Sequence, residues 1–104
     1  MKIFLDTANV EQIRCAHEMG LLDGVTTNPS LIAKEGQEFR SLLVRICEIT
    51  SGPVSAEVVS TEAAGMLEEA RSLAKLAENI VVKLPTTREG KRVRSCILTF
   101  GIEL

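Results

Sequence analysis

The sequence is poor in aromatic residues: it contains no tryptophan, no tyrosine and only 3 phenylalanines. Proteins bind single-stranded nucleic acids largely by stacking bases on such side chains, so we expect no nucleic-acid partner. No apolar run approaches the roughly 20 residues that a membrane-spanning helix needs. The N-terminal segment reaches a carboxylate, Asp6, too early for the apolar core of a signal peptide. We therefore expect a cytoplasmic protein that does not associate with membranes.

Cysteine and histidine are too scarce to suggest a metal site. Cys15, Cys47 and Cys96 lie far apart and form no C-x-x-C pair, and an odd count disfavours a disulfide framework. We expect these thiols to be reduced and buried, as free cysteines usually are. His17 is the only histidine, falls within a helical pattern and has no second ligand beside it, so we expect it at the surface.

Composition and charge indicate a folded protein. The chain has 104 residues, of which 45% are hydrophobic, and a formal net charge of −2. Disordered chains combine lower hydrophobicity with higher net charge. We expect one soluble domain over residues 1–104, since the length is near the commonest domain size.

Short apolar runs alternate with helical patterns along the whole chain. Runs ending at Asp6 and before Pro29 and Pro85 are typical of strands, and the intervening segments repeat apolar residues every three or four positions. The predicted strands are 3–5, 24–27, 54–59 and 80–84, and the predicted helices are 10–19, 30–33, 39–49, 63–74 and a last one reaching Phe100. Four β-then-α units predict a parallel sheet with helical crossovers, an α/β fold.

Helix ends carry recognisable capping residues. Asn9 is a predicted N-cap with Gln12 as its capping-box partner, and Gly20 is a predicted C-cap. Ser60 or Thr61 is the predicted cap of the helix that follows strand three. Thr86 or Thr87 is the predicted cap of the last helix, which we expect to end at Gly101.

Polar residues stand at or near the C-terminal ends of all four predicted strands. These are Asp6 on strand one, Thr26 to Asn28 on strand two, Glu57 on strand three and Lys83 on strand four. In a parallel βα array these strand ends lie on one face, which carries the chemistry in barrels and open sheets alike. The pattern therefore predicts that two acids, an amide and an amine converge.

Each of these residues also has a purely structural interpretation. Asp6 can cap the following turn, Thr26 and Thr27 can be ordinary strand residues, and Asn28 can serve the turn before Pro29. Glu57 and Lys83, both unusual in a buried strand, can form a structural ion pair.

The alternative interpretation of Lys83 is chemical. A lysine in a semi-apolar pocket has its ammonium form disfavoured, and its neutral amine can attack a carbonyl to form a Schiff base. Neighbouring carboxylates would serve the proton transfers.

Four segments resemble the small transaldolase and fructose-6-phosphate aldolase family: Phe4-Leu5-Asp6-Thr7-Ala8, the stretch from Gly24 to Ile32 with its GVTTNPS motif, Val54-Ser55-Ala56-Glu57-Val58, and Val81-Val82-Lys83-Leu84-Pro85. Their order and spacing also match, and the resemblance covers about residues 1–90. It implies a TIM (β/α)₈ barrel, of which this chain would form the N-terminal half, and a class I aldolase without metal or dissociable cofactor.

The resemblance also implies roles for five residues. Lys83 would be the Schiff-base nucleophile, Asp6 the acid/base for the hydroxyl proton during carbon–carbon cleavage, and Glu57 the residue that orients the catalytic water. Asn28, with Thr26 nearby, would contact the dihydroxyacetone part of the donor. Glutamate at position 57 is similar to transaldolases, whereas the aldolase branch tends to carry glutamine. The implied reaction moves a dihydroxyacetone unit between sugar phosphates in the pentose phosphate pathway.

The chain departs from the family in its length, since such a barrel usually has about 250 residues. The segment 91–104 also fits the family less well. We expect strands one and four to be open edges, and the side chains of Val25, Val54, Val58 and Val82, taken as barrel interior, to lose their facing layer. Self-association into a homo-oligomer would cover both. The alternatives to a transaldolase are an inactive half barrel that self-associates and a fructose-6-phosphate aldolase.

Overall fold

Strands and helices alternate strictly, apart from one pair of consecutive helices. The computed structural model describes the backbone of residues 1–98 and the side chains of residues 1–94. The elements in chain order are β1 (Phe4–Asp6), α1 (Val10–Glu18), β2 (Gly24–Thr26), α2 (Pro29–Lys34), α3 (Phe39–Ile49), β3 (Val54–Glu57), α4 (Ala63–Ala74), β4 (Ile80–Lys83) and α5 (Arg88–Leu98). Each strand therefore leads into a helical connection, as the sequence predicts. The predicted end of the last helix at Phe100 and Gly101 lies outside the described residues.

The four strands form one parallel sheet in the order β1-β2-β3-β4. Asp6 pairs with Thr26, Thr26 with Ser55, and Glu57 with Lys83. Sequential parallel strands joined by helices are the architecture of the first half of a TIM barrel, so the predicted fold class is confirmed. Among the strands of the described residues, β1 and β4 are the outer two.

The core lies between the sheet and the helices. On the strands, the side chains of Val25, Val54 and Val82 are at most 1% exposed. They pack in one cluster with residues of the helices. The helical side chains of this cluster include Ile13, Leu42, Leu43, Ile46, Met66 and Val93. The prediction that Val25, Val54, Val58 and Val82 face the barrel interior is therefore wrong. Val25, Val54 and Val82 occupy strand positions on the helix-covered face, Val58 directly follows β3, and all four are buried in the core cluster.

The caps of α1 are largely those that the sequence predicts. The side chain of Asn9 accepts a hydrogen bond from the Gln12 backbone N–H at 3.0 Å. The reciprocal half of the capping box is absent, because the Asn9 N–H donates to the Thr7 hydroxyl, which itself donates to the Gln12 side chain. At the other end Gly20 has a φ of 72°, and the N–H of Leu21 donates to the Ala16 carbonyl. This pattern is a Schellman motif.

The cap of α4 differs from the prediction. Neither Ser60 nor Thr61 is the N-cap: that position is Glu62, whose side chain makes no capping bond. Instead, the N–H of Ala63 donates to a carboxylate oxygen of Glu89 on α5, at 3.1 Å. A cap supplied by the next βα unit leaves no local signal in the sequence. For α5, the Thr87 hydroxyl accepts from the Gly90 N–H, which confirms Thr87 as the cap.

Asn79 joins three backbone segments at the end of the sheet opposite the strand C-termini. Its side-chain N–H groups donate to the carbonyls of Thr50 and Gly52 at 2.9 and 3.0 Å, and more distantly to that of Cys47. The backbone carbonyl of Asn79 accepts from the N–H of Val54, the first residue of β3. Asn79 thereby fixes the end of α3, the turn before β3 and the start of β4.

We predict that Asn79→Ala lowers the free energy of unfolding by about 1–3 kcal/mol, because it leaves partly buried carbonyls without donors. Urea unfolding followed by circular dichroism measures this change. The matched control is Glu78→Ala at the exposed neighbouring position, expected to change stability by no more than about 0.5 kcal/mol. Equal effects of the two substitutions would contradict the role of Asn79.

The cysteines are less buried than expected. Cys15 is exposed, so the prediction of a buried thiol is wrong there; Cys47 is half-buried and free, and the side chain of Cys96 lies outside the described set. Position 15 falls on the outer face of α1, whereas Cys47 packs against the core. Burial, with a smaller effect of the Glu48 charge, raises the pKa of Cys47 to about 11.

We predict that iodoacetamide modifies Cys15 at least about tenfold faster than Cys47 in the native protein at about pH 8, because alkylation requires the thiolate and access. The rate at Cys47 should climb as the pH approaches its pKa of about 11. Peptide mass spectrometry measures both rates. In denaturant the two cysteines should react alike, and equal native rates would argue against the burial of Cys47.

Candidate active site

One face of the sheet carries the polar residues that the sequence predicts to converge. Register partners in a parallel sheet point to the same side, and alternate residues of a strand point to opposite sides. Leu5, Val25, Val54 and Val82 belong to the helix-covered side. The other side therefore holds Phe4, Asp6, Thr26, Ser55, Glu57, Val81 and Lys83. Four of the five predicted site residues thus share one face, towards the C-terminal ends of the strands.

Asp6 and Thr26 form a hydrogen-bonded pair across β1 and β2. The Thr26 hydroxyl donates to a carboxylate oxygen of Asp6 at 2.9 Å. Asp6 is exposed and Thr26 is half-buried. Asp6 makes no side-chain capping bond to the turn that follows it, so its structural interpretation as a cap is not supported. The carboxylate is oriented by a neighbouring strand and remains accessible to solvent.

Glu57 and Lys83 are direct neighbours across β3 and β4. Their Cα atoms pair in the register, and the Lys83 carbonyl accepts from the N–H of Val58 at 3.2 Å. Their charged groups nevertheless form no ion pair with each other; Arg14–Glu11 and Arg92–Glu89, both on helices, are examples of the ion pairs that the structure contains. The structural ion pair is therefore not present. Lys83 is also exposed, so the described residues 1–94 do not form the semi-apolar pocket expected around its amine.

Asn28 caps α2 with one end of its side-chain amide and leaves the other end unused. Its side-chain oxygen accepts from the N–H of Leu31 at 2.9 Å and caps α2, in which Pro29 is the first residue. The sequence allows a structural role for Asn28 in the turn before Pro29; the role that the structure shows is that of a helix N-cap. The side-chain nitrogen donates to no protein group in the described part of the chain, and it remains free to donate to a ligand. Capping and ligand contact are thus compatible, because they use different atoms of the amide.

A buried link between β2 and β3 holds Thr26 and Asn28 in place. Thr27 lies between them in the sequence and is fully buried. Its hydroxyl donates to the backbone carbonyl of Ser55 at 2.6 Å. Its backbone N–H donates to the Ser55 hydroxyl at 3.1 Å. The sequence shows both residues only as ordinary strand threonine and serine, so it gives no sign of this contact.

A carboxylate also fixes the loop that follows Glu57. Glu69 on α4 accepts from the N–H of Val59 at 2.8 Å and from that of Ser60 at 2.7 Å. Both oxygens of the side chain are used, so the path of the chain leaving β3 is set by α4. Glu69 lies on a helix among several acidic residues, and nothing in the sequence distinguishes it from a solvent-exposed glutamate.

A cavity of about 390 Å³ opens between the loop after β3 and the start of α5. Met66 and Val58 form part of its apolar wall, and Glu57 and Arg88 line it as charged residues. Of the predicted site residues, Glu57 alone lines it.

Within residues 1–94 no cluster of three His, Cys, Asp or Glu side chains is arranged to hold a metal ion. No helix in the described part of the chain is long and apolar enough to cross a bilayer.

Comparison with known proteins gives a consistent assignment. The model of the transaldolase/fructose-6-phosphate aldolase family matches residues 3–103. Relatives named "Probable transaldolase" include those of Geobacter sulfurreducens, 57% identical over 103 residues, Methanococcus maripaludis, 55% identical, and Clostridium botulinum, 55% identical. In each case the aligned part covers 99% of this chain and 48% of the relative. The chain therefore spans about half the length of the curated relatives it matches.

The match continues to residue 103, so the limit near residue 90 drawn from the sequence motifs was too short. The segment after residue 90 therefore lies within the matched part of the chain. A parallel sheet of four βα units agrees with this similarity. The chain belongs to the transaldolase/fructose-6-phosphate aldolase family.

Proposed function

We propose that this chain provides the first half of a Schiff-base transaldolase site, which transfers a dihydroxyacetone unit from a ketose phosphate to an aldose phosphate. Fructose 6-phosphate and erythrose 4-phosphate are the donor and acceptor expected from the family resemblance, in the pentose phosphate pathway. The observation that supports the proposal best is the common face of Asp6, Thr26, Glu57 and Lys83 at the C-terminal strand ends. In barrels, residues at these strand ends perform the chemistry.

The proposed reaction begins with Lys83. Its neutral amine attacks the ketone carbon of the donor, and the resulting carbinolamine loses water to form a protonated imine. This cation accepts the electron pair that the neighbouring carbon–carbon bond releases on cleavage. The residue that we propose to orient the water, when it is lost and when it returns to hydrolyse the imine, is Glu57, the register neighbour of Lys83.

Asp6 is the proposed acid and base for the cleaved bond. It removes the proton from the donor hydroxyl beside that bond, so that an aldehyde leaves and an enamine remains on Lys83. The enamine then attacks the acceptor aldehyde, and Asp6 returns the proton to the new hydroxyl. The Thr26 hydroxyl, 2.9 Å from the carboxylate, orients it. Asn28 donates through its free side-chain nitrogen to the dihydroxyacetone part of the donor.

One observation favours a second candidate, a half barrel without turnover. Lys83 and Asp6 are both exposed in this chain, whereas imine chemistry requires an amine that loses its proton readily. The trapping experiments below distinguish the two candidates. Glu57 rather than glutamine favours transaldolase over fructose-6-phosphate aldolase.

We predict that fructose 6-phosphate and borohydride together give a covalent adduct on Lys83, and that Lys83→Ala removes it. The substitution is at an exposed position, so stability should change by no more than about 0.5 kcal/mol. Intact-mass and peptide mass spectrometry identify the modified residue. Lys75→Ala, at an exposed position on the helix side, is the matched control and should retain the full adduct. An undiminished adduct in Lys83→Ala would reject Lys83 as the nucleophile.

We predict that Asp6→Asn changes the composition of the trapped adduct. The amide oxygen can still accept the bond from Thr26, but it cannot take the hydroxyl proton, so the imine forms and the carbon–carbon bond stays intact. The trapped species should be the whole sugar phosphate in the variant and include the three-carbon dihydroxyacetone fragment in the unmodified chain. The mass of the Lys83 peptide separates these products. Equal loss of imine formation and cleavage would remove Asp6 from its proposed role.

A further inference from the structure

The backbone that follows Glu57 is held at three successive N–H groups. The first, that of Val58, donates to a backbone carbonyl of β4 at 3.2 Å. The next two, those of Val59 and Ser60, donate to the two carboxylate oxygens of Glu69 at 2.8 and 2.7 Å. Hydrogen bonds to an ionised carboxylate are roughly twice as strong as those between neutral groups. The chain therefore leaves β3 along a path that α4 determines, beginning two residues after Glu57.

The Glu57 side chain depends on its backbone for its direction. It is half-buried, and within residues 1–94 its carboxylate takes part in no hydrogen bond or ion pair. On the strand side it follows Ala56, which is fully buried and pairs in register with Val82. The rotamers open to a side chain depend on the φ and ψ angles of its own residue. The direction of the Glu57 carboxylate therefore depends on the buried strand before it and on the fixed loop after it.

Glu69 is suited to hold this loop because its own helix is fixed. Met66 and Ala70 bury one side of α4 in the core. At the start of the helix, the N–H of Ala63 donates to a carboxylate oxygen on α5 at 3.1 Å. The preceding residue, Glu68, is turned by about 100° around the helix axis. It is exposed and has no hydrogen bond within residues 1–94. Of two adjacent glutamates, only Glu69 therefore binds the loop.

We propose that Glu69 is a positioning residue, which holds the loop after β3 so that the Glu57 carboxylate stays directed towards Lys83 on β4. Glu69 takes no part in the chemistry itself. It acts on the two steps in which water leaves the carbinolamine and returns to the imine, because these are the steps assigned to Glu57. That consequence rests on the proposed function, whereas the positioning of Glu57 is measurable without substrate. A glutamate that only stabilised the fold would act independently of Glu57.

The first test is the rate at which fructose 6-phosphate forms the imine on Lys83, measured as the adduct trapped by borohydride after increasing incubation times. Glu57→Ala and Glu69→Ala should each slow this step at least about tenfold, because a displaced group loses much of its effect. The double variant should be no slower than the slower single variant, since Glu69 acts through Glu57. Multiplied effects, or an unchanged rate in Glu69→Ala, would overturn the proposal.

The matched control is Glu68→Ala, which removes the same side chain from the adjacent, exposed position and should retain the full rate. Circular dichroism establishes whether each variant is folded. Glu69→Gln keeps one acceptor oxygen for the loop, so its rate should fall less than that of Glu69→Ala. If Glu69→Ala does not fold, Glu69→Gln takes its place in both tests.

The second test uses no substrate. NMR spectroscopy measures the hydrogen exchange of the Val59 and Ser60 amides and the three-bond couplings that report the χ1 angle of Glu57. The unmodified chain and Glu68→Ala should show protected amides and one dominant Glu57 rotamer. In Glu69→Ala, the two amides should exchange at least about tenfold faster, and the couplings should become averaged over several rotamers.

A Glu57 rotamer that is the same with and without Glu69 would overturn the proposal. A chain that forms no adduct on Lys83 but shows these NMR changes would reject the proposed function and retain the positioning of Glu57 by Glu69. The two failures are therefore distinguishable.

Discussion

The parallel pairing of four short strands is the constraint on which the rest of the structure depends. Because side chains alternate along each strand, the register decides as a unit which residues enter the core and which face away from it. Val25, Val54 and Val82 occupy positions that the helices cover. Asp6, Thr26, Glu57 and Lys83 then fall together on the other side. A slip of one residue in any strand would move the core residues of that strand to the other face and its polar residues into the core.

Long-range polar contacts hold that register at both ends of the sheet. At the N-terminal ends, the Asn79 side chain donates to carbonyls around the turn between α3 and β3. At the C-terminal ends, Glu69 and Glu89 accept backbone N–H groups near the start of α4, and Ser55 anchors Thr27. The exposed Lys83 and Asp6 thus stand on a rigid frame. The site is ordered by residues that themselves play no proposed part in the chemistry.

The sequence could predict more of the fold than of the site. Asn9 and Gly20 could be identified as caps, and the cap of α5 could be narrowed to Thr86 or Thr87, because their partners lie within a few residues. The cap of α4 could not, since Glu89 reaches it from the next unit, 26 residues along the chain. The positions of Asp6, Glu57 and Lys83 at strand ends were likewise visible in the sequence. Their relations were not: an ion pair between Glu57 and Lys83 is as plausible from the sequence as the unpaired neighbours that the structure contains.

The sequence by itself determined the alternation of strands and helices, the strand-end position of the polar residues and the family to which the chain belongs. These features depend on local periodicity, turn residues and motif order, all of which are readable along the chain. Only the tertiary structure decided that the strand valines face the helices, that Thr26 orients Asp6, that Lys83 is exposed and that Cys15 is accessible. Those outcomes depend on contacts between residues distant in sequence, and the register of the sheet is what brings such residues together.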